Sequence, residues 1–409
     1  MKCRIASTIA LVVLLTPAWG QARELTVAAD GSGDFRTVQA AVDSVPEGSR
    51  ERTVIFLKKG TYRELVRIHK PFLTLRGEDR KKTRIVSEVD TSACPIQPGQ
   101  SKEEQCSVII ADASDLVIEN LTVLNSYQGR GKGAALSAIG GARRVVIAKV
   151  DVVGYGGDTL VLTSRGEFYL NDVYVSGTYH IIVPRGTTYA IHCTFWCLGD
   201  PHCLFNEGIF RETDRMVIRQ SVIDGPKPFG LGSYFRDAAW YFIENTISDK
   251  LLPDGQIVRE PARNYEMKWG EGRVYFAENK APDYAWLRDN LETSPAKVKT
   301  AVTAAWTFSG WDPESETPAG IARIETDPDQ LRLVFKESVT VRGQPRLKLA
   351  SGRPAVYASG SGTDTLVFKA RCPCRPVEVV LKDAAIYASA ASLRTRNADL
   401  SPLQSKRTK

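Results

Sequence analysis

Apolar and polar positions along this chain alternate in short bursts, with few helical stripes. One stretch departs from that rule. Phe35, Val38, Ala41, Val42 and Val45 recur at helical spacing, with Asp34 placed to cap the first turn, so the pattern predicts a helix over 35–45. Short runs rich in β-branched and aromatic residues follow: 52–57, 73–76, 107–110, 116–118, 145–147, 168–170, 189–191, 216–218 and 240–243. Several share a local form, an apolar pair, a polar pair and then alternation. Val117-Ile-Glu-Asn-Leu-Thr-Val123 is echoed at 146–152, 169–175, 190–195, 217–223 and 242–247. The uneven period of about 21 to 30 residues suits the stacked coils of a solenoid. The pattern therefore predicts an all-β chain, a right-handed parallel β-helix. In each coil the apolar pair should face the core and the polar pair turn the corner. A β-sandwich is the rival, but its hairpins should carry Asn-Gly or Asp-Gly turns at shorter spacing. The helix over 35–45 would cap the open end, where a sheet edge and core are otherwise exposed.

The texture changes near Trp311, and a polar, Pro-containing linker is expected over 313–319. Beyond it, runs at 330–341, 346–349, 355–357, 365–368 and 377–381 alternate between Gly/Ser turns, which predicts a small β-sandwich over 320–390 and a frayed tail over 391–409. This part resembles the Ig-like repeats of bacterial surface and secreted proteins and implies attachment or spacing.

The N-terminus starts basic, continues apolar from Ile5 to Pro17 and exits through small residues, so 1–22 reads as a secretory signal peptide and the mature protein as secreted or periplasmic. No later window is long and apolar enough to span a membrane. The net charge is +7, and removing Lys2 and Arg4 leaves +5. That modest, dispersed excess suits an acidic polymer and argues against nucleic acid. Export permits disulfides. Cys94 and Cys106 could staple the polar loop between them, two of Cys193, Cys197 and Cys203 could pair, and Cys372 and Cys374 stand too close for an easy bridge between themselves.

An ordered set of motifs adds a family. Residues 27–42 (VAADGSGDFRTVQAAV), 56–64, 75–78, Gly157-Asp-Thr-Leu160, Gly177-Thr-Tyr-His-Ile-Ile182, Leu231-Gly-Ser-Tyr-Phe235 and 275–278 together resemble the pectinesterases, in the same order, over about 25–312. The resemblance implies the pectin-lyase-like β-helix, a domain over 23–312, pectin or a related acidic polysaccharide as partner, a monomer and no cofactor. It also implies a mechanism: an aspartate nucleophile on the galacturonate methyl ester, a second aspartate as acid/base, an orienting arginine and two glutamines at the oxyanion. Carried over, the acid/base falls on Asp158, the nucleophile on His180, the arginine on Ser233, the glutamines on Gly157 and near Gly133, and the sugar-stacking tryptophan on Phe235. One polar role of five survives.

Three readings of this rewritten site compete. In the first, binding persists without catalysis: Tyr155, Tyr179, Tyr234 and Phe235 line a sugar surface, and Arg185 and Arg236 meet carboxylates, unless these side chains merely pack coil faces or lie in solvent. In the second, Ser233, His180 and Asp158 form a new nucleophilic triad, with Gly156 and Gly157 offering backbone N–H groups to the oxyanion. In the third, ordinary pectinesterase chemistry survives through a displaced arginine, Arg236. A surface adhesin or spacer is the alternative of another class. Metal is not expected: Asp30-Gly-Ser-Gly-Asp34 lacks the downstream glutamate of a calcium loop and reads as the turn into the helix. Gly129-Arg-Gly-Lys-Gly133 lacks the strand–loop–helix context of a phosphate loop.

Overall fold

The computed structural model describes residues 24–388, apart from breaks at 50–51, 95–105, 130–132, 200–201, 207, 261–264, 310, 315–320, 328, 343, 350–353, 362, 371–375 and 381–384. The expected signal peptide over 1–22, the expected tail over 391–409, Cys372 and Cys374 lie outside the described residues, as do the whole of 95–105 and most of the linker.

Three long parallel sheets wind into a β-helix. The first stacks ten strands, from 24–27 through 53–57, 73–77, 117–119, 145–148, 167–171, 187–191, 216–219 and 240–243 to 274–277. The second stacks eight, from 60–63 to 246–247, and the third stacks five, 66–68, 109–111, 136–138, 160–162 and 182–184. A short parallel set, 202–206, 230–234 and 258–259, stands on the third sheet's side of the later coils.

Register explains the core. Tyr62, Ile85, Val123, Val152, Val175, Phe195, Ile223 and Ile247 form one continuous inward row of the second sheet. Val66, Ile109, Leu136, Leu160 and Ile182 do the same in the third. In the first sheet the expected apolar pair does not face the core as a unit. Side chains alternate along a strand, so Ile118, Ile147, Leu170, Ile218 and Phe242 point in, while Val117, Val146, Tyr169, Val217 and Tyr241 join a separate outer cluster. The chain covers that outer row itself. Leu291, Ala296, Val302, Ala304 and Phe308, from the segment after the last coil, pack on it with Trp306 and Trp311.

The polar pair does turn the corner. Asn120, Lys149, Asp172, His192, Gln220, Glu244 and Glu278 all have φ between 45° and 56°, so from strand 117–119 onward each first-sheet strand is followed by a left-handed residue. Lys, Gln and Glu are not the residues favoured there; repetition of the coil, not residue identity, sets the conformation.

The helix is shorter than the periodicity predicts, Val38–Asp43, and Thr37, not Asp34, is its cap, its hydroxyl accepting from Ala40 N. Asp34 instead accepts from Thr26 N at 2.8 Å. Glu64 completes the helix start by accepting from Val38 N and Gln39 N. Val38, Ala41 and Val42 are buried with the first coil's core. The region after the linker is antiparallel: 330–342 pairs with 321–327, 363–369 and 385–388, and 346–349 pairs with 354–359 and 376–380, around Leu331, Leu333, Phe335, Leu347, Leu366 and Phe368.

Candidate active site

The third sheet shows the site from its outer side. Strands 160–162 and 182–184 are each preceded by a left-handed residue, Asp158 (φ 54°) and His180 (φ 47°). Such backbone is uncommon for residues with a Cβ and is most tolerated by Asn, Asp and His. The neighbouring coils hold it: Gly133 N donates to Gly157 O (3.1 Å), Asp158 N to Tyr179 O (3.2 Å) and His180 N to His202 O (3.0 Å). Positions distant in sequence are thereby stacked, and Asp158 and His180 meet. His180 Nδ1 lies 3.5 Å from Asp158 Oδ1, a charge-pair contact and not a formed hydrogen bond, with side-chain exposures of 20% and 7%.

The imidazole is clamped by rings. Phe205 stacks on it at 4.1 Å and 20°, Tyr179 meets it edge-on at 4.9 Å, and Phe235 closes on Phe205 at 5.2 Å. Beneath lies an apolar floor of Ala134, Val161, Val183 and Phe205, with Phe235 packed against it. Tyr179 also occupies the place where the resemblance puts a glutamine. A Cβ added at Gly157 would stand 2.3 Å from Tyr179 Cζ, so any larger residue there would have to displace the ring.

The structure does not assemble the serine triad. Ser233 pairs in register with Phe205 and is fully buried, and its hydroxyl has no hydrogen-bond partner among the described residues, so it neither bonds to His180 nor reaches solvent. Tyr234 alternates the other way. It is buried in the helix core, where its hydroxyl accepts from Gly272 N at 3.4 Å, and it is no sugar platform. Gly156 and Gly157 are both buried. Of the remaining expected contacts, Tyr155 and Arg236 are exposed, and Tyr179, Arg185 and Phe235 are half-buried. Arg236 leans over the Tyr265 ring at 5.6 Å, away from a rescuing role at Ser233. Its neighbour Asp237 is fully buried and accepts from Tyr265 Oη and from the N–H groups of Lys268 and Trp269. Burial pushes that carboxyl up, but these donors and the Arg273 charge outweigh it and hold the pKa below the usual aspartate value.

Sequence reasoning missed Phe205, His202 and Glu260. His202 lies 6.3 Å from the His180 ring, and its Nε2 is 3.9 Å from Glu260 Oε1. The available signal was Cys203-Leu204-Phe205, a short apolar run of the kind read elsewhere in this chain as a strand. The Cys197–Cys203 disulfide fixes its start, leaving Cys193 buried as a free thiol, and Cys94–Cys106 closes the earlier loop as expected. Among the described residues, no three His, Cys, Asp or Glu side chains are grouped to hold a metal ion, and no helix is long and apolar enough to cross a membrane.

Comparison with known proteins fits this architecture. Residues 24–198 match the pectinesterase family model. The chain is 34% identical to Pectinesterase 31 of Arabidopsis thaliana over 184 residues, 43% of this chain and 56% of that protein, so it spans little more than half of that relative's length. It is 24% identical to Pectinesterase 2 of Olea europaea over 267 residues, 63% of this chain and 71% of that one. Among solved structures, a pectin methylesterase in complex with a hexasaccharide superposes with a TM-score of 0.60 at 20% identity, covering 71% of this chain and 98% of that one. Pectin methylesterase PemA from Erwinia chrysanthemi gives 0.55 at 20% identity, over 67% and 96%. The structural likenesses show the parallel β-helix, and over residues 24–198 the chain is similar to the pectinesterases.

Proposed function

We propose that this chain is a pectin-directed protein of the pectinesterase type, which engages galacturonan on the outer face of the third sheet, at Asp158 and His180. The observation that carries this reading is the meeting of Asp158 and His180 from successive coils, beside half-buried Tyr179 and Phe235, at the positions matched by the pectinesterase motifs. Aromatic faces suit pyranose rings, and Arg185 suits a uronate carboxylate. The family's covalent route has no carboxylate nucleophile here, because imidazole stands in its place. The signal peptide implies that the protein meets its polymer outside the cytoplasm, and the antiparallel C-terminal region serves as an Ig-like spacer or attachment module. The test is binding of the purified mature chain to methylated pectin, polygalacturonate and a neutral glucan by isothermal titration calorimetry. Saturable binding to the galacturonans alone is expected; equal affinity for the glucan, or none for any polymer, would remove this reading.

A further inference from the structure

We infer that Asp158 and His180 form a general-base dyad that hydrolyses an ester directly with water, without a covalent intermediate on the protein; the identity of the ester, a uronate methyl ester, rests on the reading above. The dyad is not a remnant of a serine triad, because Ser233, in register with Phe205, has zero exposure and its hydroxyl has no hydrogen-bond partner among the described residues. Three features favour a base at His180. Asp158 faces Nδ1 at 3.5 Å, which favours the proton on that nitrogen and leaves Nε2 with its lone pair. Phe205 and Tyr179 restrict the ring from two sides, so its orientation is set before any ligand arrives. And the His180 side chain keeps 20% exposure against 7% for Asp158, so of the two the imidazole is the more open to water.

The step balances. Nε2 takes a proton from water as the water oxygen bonds to the ester carbonyl carbon and the carbonyl π pair moves onto its oxygen. As that pair returns, the C–O bond to the methoxy group breaks and the imidazolium proton passes to the departing oxygen. Methanol and a carboxylic acid result, and the acid ionises in solvent. Asp158 stabilises the imidazolium in between. Tyr179 fills the site of a side-chain amide donor at Gly157, so the chemistry relies on the base more than on oxyanion donors, and modest turnover follows.

The experiment is methanol release from highly methylated pectin by the mature chain, with His180→Gln, His180→Gly and Asp158→Asn beside it. Polymer binding and circular dichroism serve as controls for folding. The expected result is measurable turnover with a normal solvent deuterium isotope effect. His180→Gln should lower kcat by about 10²–10⁴-fold with KM little changed, and added imidazole should restore part of the His180→Gly activity. Wild-type turnover untouched by His180→Gln, an isotope effect of one, or no rescue by imidazole would overturn the dyad. Binding of pectin with no methanol above background would overturn it too, while leaving the proposed function standing. Absence of both binding and turnover would remove that function along with the dyad.

Discussion

Two outer faces of the same solenoid carry apolar rows, and they differ in what lies over them. On the first sheet, Val117, Val146, Tyr169, Tyr189, Val217, Tyr241 and Tyr275 stand in one register line. The chain's own later segment closes that line: Phe308 meets Tyr189 at 6.4 Å, Trp306 meets Tyr241 at 5.3 Å, and Arg215 lies 3.9 Å from the Trp306 ring centre. On the third sheet, Val161 and Val183, continued by Phe205 of the adjoining strand 202–206, form a smaller row, and a histidine and two half-buried aromatics border it. Outward apolar side chains in a β-helix are therefore not one kind of feature. A long row covered by the same chain is a second core, whereas a short row beside a carboxylate–imidazole pair is the floor of a site.

The largest effect that would break this comparison concerns stability. Phe308→Ala should cost about 3–5 kcal/mol, the range for truncating a buried aromatic. Phe205→Ala should cost less although its ring is equally buried, because the apolar cluster around it is much smaller. Denaturant melts of the two variants give the answer, and a reversed order would mean that the third-sheet row is the structural one. The same Phe205→Ala change should lower any methanol release at least as far as about tenfold by freeing the imidazole, with polymer affinity changed less. Unaltered turnover at unaltered fold would separate the stack from the chemistry.

A third test uses pH. The folded carboxyl of Asp237 titrates below its unfolded value, so its contribution is fully present above about pH 4 and is lost as pH falls through the folded pKa. Asp237→Asn should thus destabilise by about 1.5–3 kcal/mol at neutral pH, the worth of hydrogen bonds to a charged group. The difference from wild type should shrink at acid pH in paired melts. A gap that stays constant down to pH 2 would refute that ionic role. The smallest expected signal is at Cys193: burial pushes its thiol up to about 12, so a thiol reagent should label it at neutral pH only after denaturation. Fast labelling of the native protein would show that the coil around it opens.

The β-helix was legible because each coil repeats one form, and period-2 alternation ties that form to strands. The error about the apolar pair came from the same source. Periodicity shows that Val117 and Ile118 are both apolar, and strand geometry then sends them to opposite faces, so a second covering layer had to exist. The helix cap was misassigned because Thr37 and Asp34 are both good caps, and only the pairing of Thr26 N with Asp34 left Thr37 to the helix. At the site, the motif order pointed to Asp158 and His180, while Phe205 was invisible, since nothing local says that a phenylalanine one coil further on stacks on an imidazole.

By itself, the sequence determined the solenoid, the approximate coils and the change of architecture after residue 312. These depend on local alternation and on motif order, which are properties of the chain read in one dimension. Only the tertiary structure decided that Ser233 is sealed while His180 is reachable, that Tyr234 points inward, and that Tyr179 fills the space over Gly157. Each of those depends on the stacking register between coils, where a shift of one residue exchanges the inner and outer faces, and that register is set by contacts between residues far apart in the chain.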